Sequence, residues 1–153
     1  MPTLYYIDDE RIFLEHVGNA VKGKSNIYKP YCGAGACNAF FEDLVNNDKN
    51  IITGDSFFLI DGRMSVPADL ERDKEAWGKY TGTKSDVCGF AIASYLINKG
   101  IDESKIKIFS AYLEVIGIFV QDFNLKKEIL LGKHDFSSKL LEDWLSKQSN
   151  TIK

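Results

Sequence analysis

The sequence predicts an α/β fold in which helices cover both faces of a five-stranded parallel sheet. Short apolar runs, typical of buried strands, alternate with segments whose apolar residues recur at helical spacing. The 153 residues are 44% hydrophobic and 27% charged, which is the composition of one ordinary globular domain. Strands and helices that alternate in this way form a doubly wound, three-layer sandwich.

Five segments are predicted to be strands. The runs 3–8 and 56–61 are the clearest, because each is apolar along its length and ends on aspartate. The second run is the weakest, because Pro30 removes a backbone donor from it. The predicted strands are residues 3–8, 26–31, 56–61, 105–109 and 128–131.

Five segments are predicted to be helices. In the first, Ile12, Phe13, Val17 and Val21 lie near helical spacing and would form its buried stripe. Glycines just after two of the segments suit helix ends. The predicted helices are residues 10–22, 34–46, 87–99 and 112–123, and a last one that begins at Ser137 or Ser138.

The segment 62–86 interrupts this regular alternation. It contains glycine, proline, serine and many charges without a sustained period, so it is predicted to be a long irregular connection. Connections of this length are usually functional or mobile. Residues 1–148 are therefore expected to form one domain with an irregular insertion at about 65–86, followed by a frayed tail over 149–153.

Acidic residues stand at the ends of two predicted strands. Asp8 and Asp9 follow the first strand, and Asp61 ends the third. Functional groups in an open parallel sheet collect beyond the carboxyl ends of its strands. Three carboxylates gathered there would repel one another, and a hard divalent cation such as Mg²⁺ would relieve that repulsion. Asp8 and Asp9 could instead cap the following helix, and Asp61 with Gly62 could form only a turn.

Binding of one cation by all three acids requires a particular geometry of the strand ends. The ends of the first and third strands must converge, so that the three acids share one cation. Splayed strand ends would argue against it, and so would a lysine ammonium that filled the gap between the carboxylates.

The order of these residues resembles the receiver domain of bacterial two-component response regulators, over essentially the whole chain. The matching segments are Tyr6-Ile7-Asp8-Asp9-Glu10, Leu59-Ile60-Asp61-Gly62-Arg63-Met64, Ser110-Ala111 and Lys133, with Asp86 to Phe90 resembling the family's approach to its third helix. The resemblance implies a flavodoxin/CheY-like fold. It also implies a cytoplasmic protein that is a phosphoacceptor and not an enzyme with turnover.

The resemblance implies a role for each matching residue. Asp61 would attack a phosphoryl group and form an acyl phosphate. Ser110 would donate a hydrogen bond to a phosphoryl oxygen, and Lys133 a charge-assisted one. Mg²⁺ would be held by Asp9 and Asp61 directly, by Asp8 through water and by the backbone carbonyl of Arg63. The implied partners are a histidine kinase or phosphotransfer protein and a downstream protein target.

The chain also departs from the family pattern. Ser65 stands where proline is usual, and the insertion follows it; its Trp77 and Tyr80 would pack over the pocket or anchor the loop. Leu130 replaces an aromatic residue that usually takes part in signalling. His134 follows Lys133 in place of a proline, so we expect a trans peptide bond there and a displaced loop.

Three functions are compatible with this pattern. The first is a stand-alone receiver phosphorylated on Asp61. The second is a receiver-shaped interaction module whose output no longer depends on phosphorylation, which the departures favour. The third is a Mg²⁺-dependent phosphohydrolase, although Arg63 stands where such enzymes commonly have a general acid.

Charge and composition limit the partners. A net charge of −3 gives no reason to expect direct binding to nucleic acid or an anionic membrane, and we see no secretion signal or membrane span. Three cysteines without a CxxC motif are expected to be reduced. The apolar residues of the helix over 112–123 could pack in the core or form a homodimer surface.

Overall fold

The computed structural model describes residues 2–23, 26–62, 64, 88–111, 113, 117 and 119–149. Several predictions concern residues outside these ranges. They are the insertion 65–86 with Trp77 and Tyr80, the carbonyl of Arg63, and most of the tail.

The described residues form a five-stranded, all-parallel sheet, which confirms the predicted fold class. The strands are β1 (Thr3–Asp8), β2 (Ile27–Cys32), β3 (Ser56–Asp61), β4 (Ile106–Ser110) and β5 (Leu130–Gly132). Their order is β2-β1-β3-β4-β5, a flavodoxin/CheY-like arrangement. The bounds of β1 and β3 are those predicted, and the other strands begin one or two residues later.

Helices lie between the strands. They are α1 (Leu14–Lys22), α2 (Ala36–Asn46), α3 (Asp48–Ile51), α4 (Cys88–Asn98), α5 (Phe119–Asp122) and α6 (Ser138–Ser149). Three short 3₁₀ turns, Glu103–Lys105, Lys127–Ile129 and Lys133–Asp135, flank β4 and β5. The sequence did not predict α3, since the asparagines and aspartate there are typical of a turn.

The start of α1 corrects the sequence analysis. The helix begins four residues later than predicted, because residues 9–13 form a turn closed by a hydrogen bond from the Leu14 amide to the Arg11 carbonyl. Ile12 is 70% exposed, so its assignment to the buried stripe was wrong. Phe13 is half-buried and packs against the core.

Two apolar clusters lie on opposite faces of the sheet. On one face α1 and α6 cover Leu4, Tyr6, Phe57, Leu59, Phe109 and Leu131. On the other face α2, α4 and α5 cover Tyr5, Ile7, Phe58, Ile60, Ile106 and Ile108. Successive residues of each strand alternate between the two clusters, as the pleat of a strand requires. Both faces are therefore dry, which explains why β1 and β3 are apolar without a polar alternation.

The described part of residues 112–123 packs inward. Phe119 and Val120 are buried in the second cluster, with Leu113 and Phe123 packed against it. Asn124 has a φ of 56°, which ends the helix. For these residues the apolar character reflects core packing. The homodimer surface remains a prediction that rests on residues outside the described ranges.

The cysteines differ from the expectation of reduced thiols. Cys37, buried at the start of α2, is disulfide-bonded, whereas Cys32 is free. Chain spacing without a CxxC motif says nothing about tertiary proximity, so the sequence could not reveal this bond. A disulfide is favoured by an oxidising compartment, while our expectation was a reducing cytoplasm. In the described part of the chain, no helix has the length and apolarity needed to cross a bilayer.

A close backbone approach joins α4 to the end of β3. A Cβ atom added at Gly89 would lie 2.1 Å from the carbonyl oxygen of Asp61 and 3.2 Å from the Cα of Gly62. Only glycine allows the first turn of α4 to lie this close to the backbone that carries Asp61. The glycine therefore fixes the position of the strand end.

We predict that Gly89→Ala lowers the free energy of unfolding by about 1–3 kcal/mol or more, because the methyl group must push α4 away from β3. Gly54→Ala is the matched control, since Gly54 is exposed and a Cβ there meets nothing within 4 Å. Urea unfolding of both variants tests this. Equal stabilities would show that the approach is looser than the structure indicates.

Candidate functional site

The three acidic residues meet at one edge of the sheet. Ile7 of β1 pairs with Ile60 of β3, so Asp8 and Asp61 leave the sheet side by side at its carboxyl edge. This is where the chain order reverses between β1 and β3, the position at which open α/β sheets bind ligands. Asp8, Asp9 and Asp61 each offer one carboxylate oxygen within 4.8 Å of the others. The predicted convergence of the strand ends is thus confirmed.

Burial differs among the three acids. Asp8 is 1% and Asp61 5% exposed, whereas Asp9 lies in the following turn and is exposed. A buried carboxylate without a compensating partner is costly. Partners are therefore expected around Asp8 and Asp61 more than around Asp9.

Lys133 supplies a positive charge to the buried pair. Its Nζ lies 3.0 Å from Oδ2 of Asp8 and 3.9 Å from Oδ1 of Asp61. The residue directly follows β5 in the 3₁₀ turn Lys133–Asp135. The described residues contain no cis peptide bond, so the expected trans bond before His134 is confirmed. Lys133 reaches both carboxylates with that trans backbone.

Asp8 has two further donors. The Tyr6 hydroxyl donates to its Oδ2 over 2.6 Å, and the backbone amide of Glu10 donates to its Oδ1 over 3.0 Å. Burial and the charge of Asp8 raise the pKa of Tyr6, so its hydroxyl remains a donor at ordinary pH. The sequence analysis missed Tyr6, because a tyrosine inside an apolar run is typical of any buried strand.

The electrostatics of the site concentrate on Asp61. Burial, the charge of Asp8 and contacts with both neighbouring carboxyls raise the pKa of Asp61 to about 8, although Lys133 opposes the shift. Burial would lower the pKa of Lys133, but the charges of Asp61 and Asp8 outweigh it and raise that pKa. Without a cation, the carboxyl group of Asp61 therefore holds a proton near neutral pH.

The donor set fits a hard divalent cation. Mg²⁺ prefers oxygen ligands at about 2.1 Å, which places ligand oxygens roughly 3–4.2 Å apart. One carboxylate oxygen from each acid lies within 4.8 Å of the others, which is compatible with a shared cation. Lys133 compensates one of the three possible negative charges and leaves two. A divalent cation would balance them.

Lys133 places an ammonium group beside the carboxylates, so its position decides whether a cation can also bind. Its ammonium group takes up one side of the cluster, next to Asp8. In the described structure it makes no ion pair with Asp9 within 4.0 Å, so it does not bridge all three acids. Lysine and cation would therefore share Asp8 and Asp61, while Asp9 remains a ligand for the cation alone.

Ser110 lies at the same edge of the sheet. It is the buried last residue of β4, paired with Gly132 of β5, and follows Phe109, which pairs with Asp61. The structure thus brings Asp8, Asp9, Asp61, Ser110 and Lys133 to one edge, as the sequence predicts. Leu130, at the position of the missing aromatic residue, packs against the core.

No family model matches this chain, and no match was found among curated proteins or solved structures.

We predict that the free energy of unfolding falls as pH rises from about 5 to 8 in the absence of divalent cations. Native Asp61 has a pKa of about 8 against an ordinary 3.8, so in this window the native state holds a proton that the unfolded chain has lost. Asp61→Asn should flatten the dependence. Asp143→Asn, on the exposed side of α6, should keep the wild-type slope. Equal slopes in all three proteins would contradict the raised pKa.

We also predict that Tyr6→Phe lowers the free energy of unfolding by about 1–3 kcal/mol, because Asp8 loses a buried donor. Tyr5→Phe is the matched control. Tyr5 is its neighbour in β1 and is also buried, on the opposite face, and in the described part of the chain its hydroxyl forms no hydrogen bond. Thermal unfolding compares the two. A loss in Tyr6→Phe no larger than that in Tyr5→Phe would show that the Tyr6 hydroxyl contributes little.

Proposed function

We propose that this protein is a stand-alone receiver that accepts a phosphoryl group onto Asp61. The donor is a histidine kinase or a phosphotransfer protein, the cation is Mg²⁺, and the output is a contact with another protein. One observation supports the proposal most strongly. Asp8, Asp9, Asp61 and Lys133 converge where the chain order of the β2-β1-β3-β4-β5 sheet reverses, between β1 and β3.

Phosphoryl transfer to Asp61 requires an ionised carboxylate as nucleophile and charged groups around it. An oxygen of ionised Asp61 attacks phosphorus and forms a P–O bond, while the P–N bond to the donor histidine breaks and the imidazole leaves. Most of the barrier in phosphoryl transfer is lowered by positioning and charge stabilisation. Asp61 is well positioned, because Gly89 fixes the strand end on which it lies.

Asp8, Asp9 and Asp61 would hold the cation. When bound, Mg²⁺ would neutralise their charge and that of the phosphoryl oxygens. Because the same carboxylates raise the pKa of Asp61, relief of their repulsion also favours the ionised nucleophile. The carbonyl of Arg63, the fourth predicted ligand, lies outside the described residues.

Lys133 and Ser110 would respond to the added phosphoryl group. The Lys133 Nζ is already 3.9 Å from Asp61, so a short movement from Asp8 brings it to a phosphoryl oxygen. There its hydrogen bond is charge-assisted. Ser110 lies at the end of the adjacent strand and can donate a second hydrogen bond. A new charge at Asp61 thus changes what both residues contact.

A phosphorylation-independent interaction module is the second candidate. It is favoured by Leu130, which packs against the core where an aromatic residue would couple the site to the surface. It is also favoured by the resting ion pair between Lys133 and Asp8, which stabilises the buried acids without phosphorylation.

We predict that incubation with Mg²⁺ and acetyl phosphate or phosphoramidate adds one phosphoryl group to the protein, seen by intact-protein mass spectrometry. Hydroxylamine should release it, as it does from an acyl phosphate. Asp61→Asn should take up none, whereas Asp135→Asn, an exposed acid just beyond Lys133, should label like the wild type. If Asp61→Asn is labelled as readily as the wild type, the assignment of the nucleophile is wrong.

Binding to a partner separates the two candidate functions. A receiver binds its target differently before and after labelling, and Asp61→Asn abolishes the difference. An interaction module binds equally well as wild type, as Asp61→Asn and after exposure to acetyl phosphate.

A further inference from the structure

Aromatic rings surround the ammonium group of Lys133. Its Nζ lies over the ring of Phe13, 5.7 Å from the centroid, and over the ring of Phe109 at 5.5 Å. Both distances are within the range of a cation–π contact, in which the electron-rich ring face attracts a cation. The same ammonium therefore has two carboxylates and two ring faces as neighbours.

The rings belong to a packed aromatic cluster. Phe13 and Phe109 meet edge to face, with centroids 5.2 Å apart. Phe136 contacts both, at 6.0 Å from Phe13 and 5.8 Å from Phe109. Phe109 is fully buried and its ring also meets that of Tyr6. Because each ring is held by the others, their faces are fixed in place before any ligand binds.

The position of Lys133 needs such support. Lysine carries its charge on a long, flexible stem, and holding it in one place costs rotamer entropy. The Lys133 side chain is nevertheless only 10% exposed. Removal from water strengthens a cation–π contact, so the two rings are most effective in a site of this kind.

We propose that Phe13 and Phe109 are positioning residues that hold the Lys133 ammonium beside Asp61. In this role their rings act through the lysine, although the backbone of Phe109 also pairs with Asp61 in the sheet. For phosphoryl transfer this inference rests on the function proposed above, whereas the clamp on Lys133 can be tested without it.

Both rings lie on segments that adjoin the acidic site. Phe13 ends the turn after β1 that carries Asp9, and Phe109 precedes Ser110 on β4. The loop after β5 brings Lys133 against them, and Phe136, just past the 3₁₀ turn, packs on the same rings. Three strand ends of the site are thus joined by one aromatic cluster.

The clamp itself is tested by NMR of the side-chain methylene protons of Lys133. Protons over ring faces resonate upfield of their positions in a free lysine. Phe13→Leu should shift them downfield, and Phe13→Tyr should retain most of the upfield shift. Phe136→Leu is the matched control. Phe136 packs in the same cluster, but in the described structure its ring forms no cation–π contact with the ammonium. Unshifted Lys133 protons in the wild type would overturn the proposal.

The effect on phosphoryl transfer is tested with fluorinated phenylalanines, which weaken the ring's attraction for a cation with little change in size. Trifluorophenylalanine at position 13 should slow labelling by saturating acetyl phosphate about three- to tenfold, the magnitude expected for one desolvated cation–π contact. The same replacement at position 136 should leave the rate unchanged, and the apparent KM should stay constant in both proteins.

The outcomes remain distinguishable. If the wild type takes up no phosphoryl group, the proposed function fails, and the Lys133 proton shifts still decide whether the clamp exists. If the wild type is labelled and trifluorophenylalanine at position 13 has no effect on the rate, Phe13 is not a positioning residue. Thermal unfolding of each variant separates a local effect from loss of the fold.

Discussion

Mutual repulsion among three carboxylates is the constraint to which the rest of the site responds. The sheet order places Asp8 and Asp61 side by side, and the helices that cover both faces remove water from around them. Burial without compensation would destabilise the fold. Lys133, the Tyr6 hydroxyl and the Glu10 amide each contribute positive charge or a donor to Asp8. Burial and the charge of Asp8 raise the pKa of Asp61.

The scaffold holds these groups together because its strand ends cannot move independently. Gly89 allows α4 to contact the backbone of Asp61. Gly132 is close to side chains, with an added Cβ 2.7 Å from Oδ2 of Asp135 and 3.1 Å from the Leu113 side chain. The aromatic cluster joins the loops after β1 and β5 to β4. A site with unfavourable electrostatics persists where tight packing around it leaves no easy relaxation.

The sequence predicted those features that depend on local pattern. An apolar run that ends on aspartate identifies a buried strand and its polar end, so β1, β3 and their acids were found with the correct bounds. Features that depend on tertiary distance were not found. Ile12 has helical spacing but lies exposed in a turn, because the Asp8 carboxylate and the Arg11 carbonyl bind the amides that follow them. Neither the Tyr6 hydroxyl nor the ring of Phe13 differs, in sequence, from any other apolar or aromatic core residue.

A proton, the Lys133 ammonium and a divalent cation would compete for the same carboxylates, and the carboxylates cannot bind all three fully at once. The proton on Asp61 relieves repulsion but would remove the proposed nucleophile. Lys133 lies closer to Asp8 than to Asp61, so it stabilises the charge of Asp8 more than that of Asp61. Asp9 would offer a cation an exposed carboxylate that, in the described structure, forms no ion pair with Lys133. Ionisation of Asp61 and cation binding are therefore expected to occur together, because each lowers the electrostatic free energy of the other.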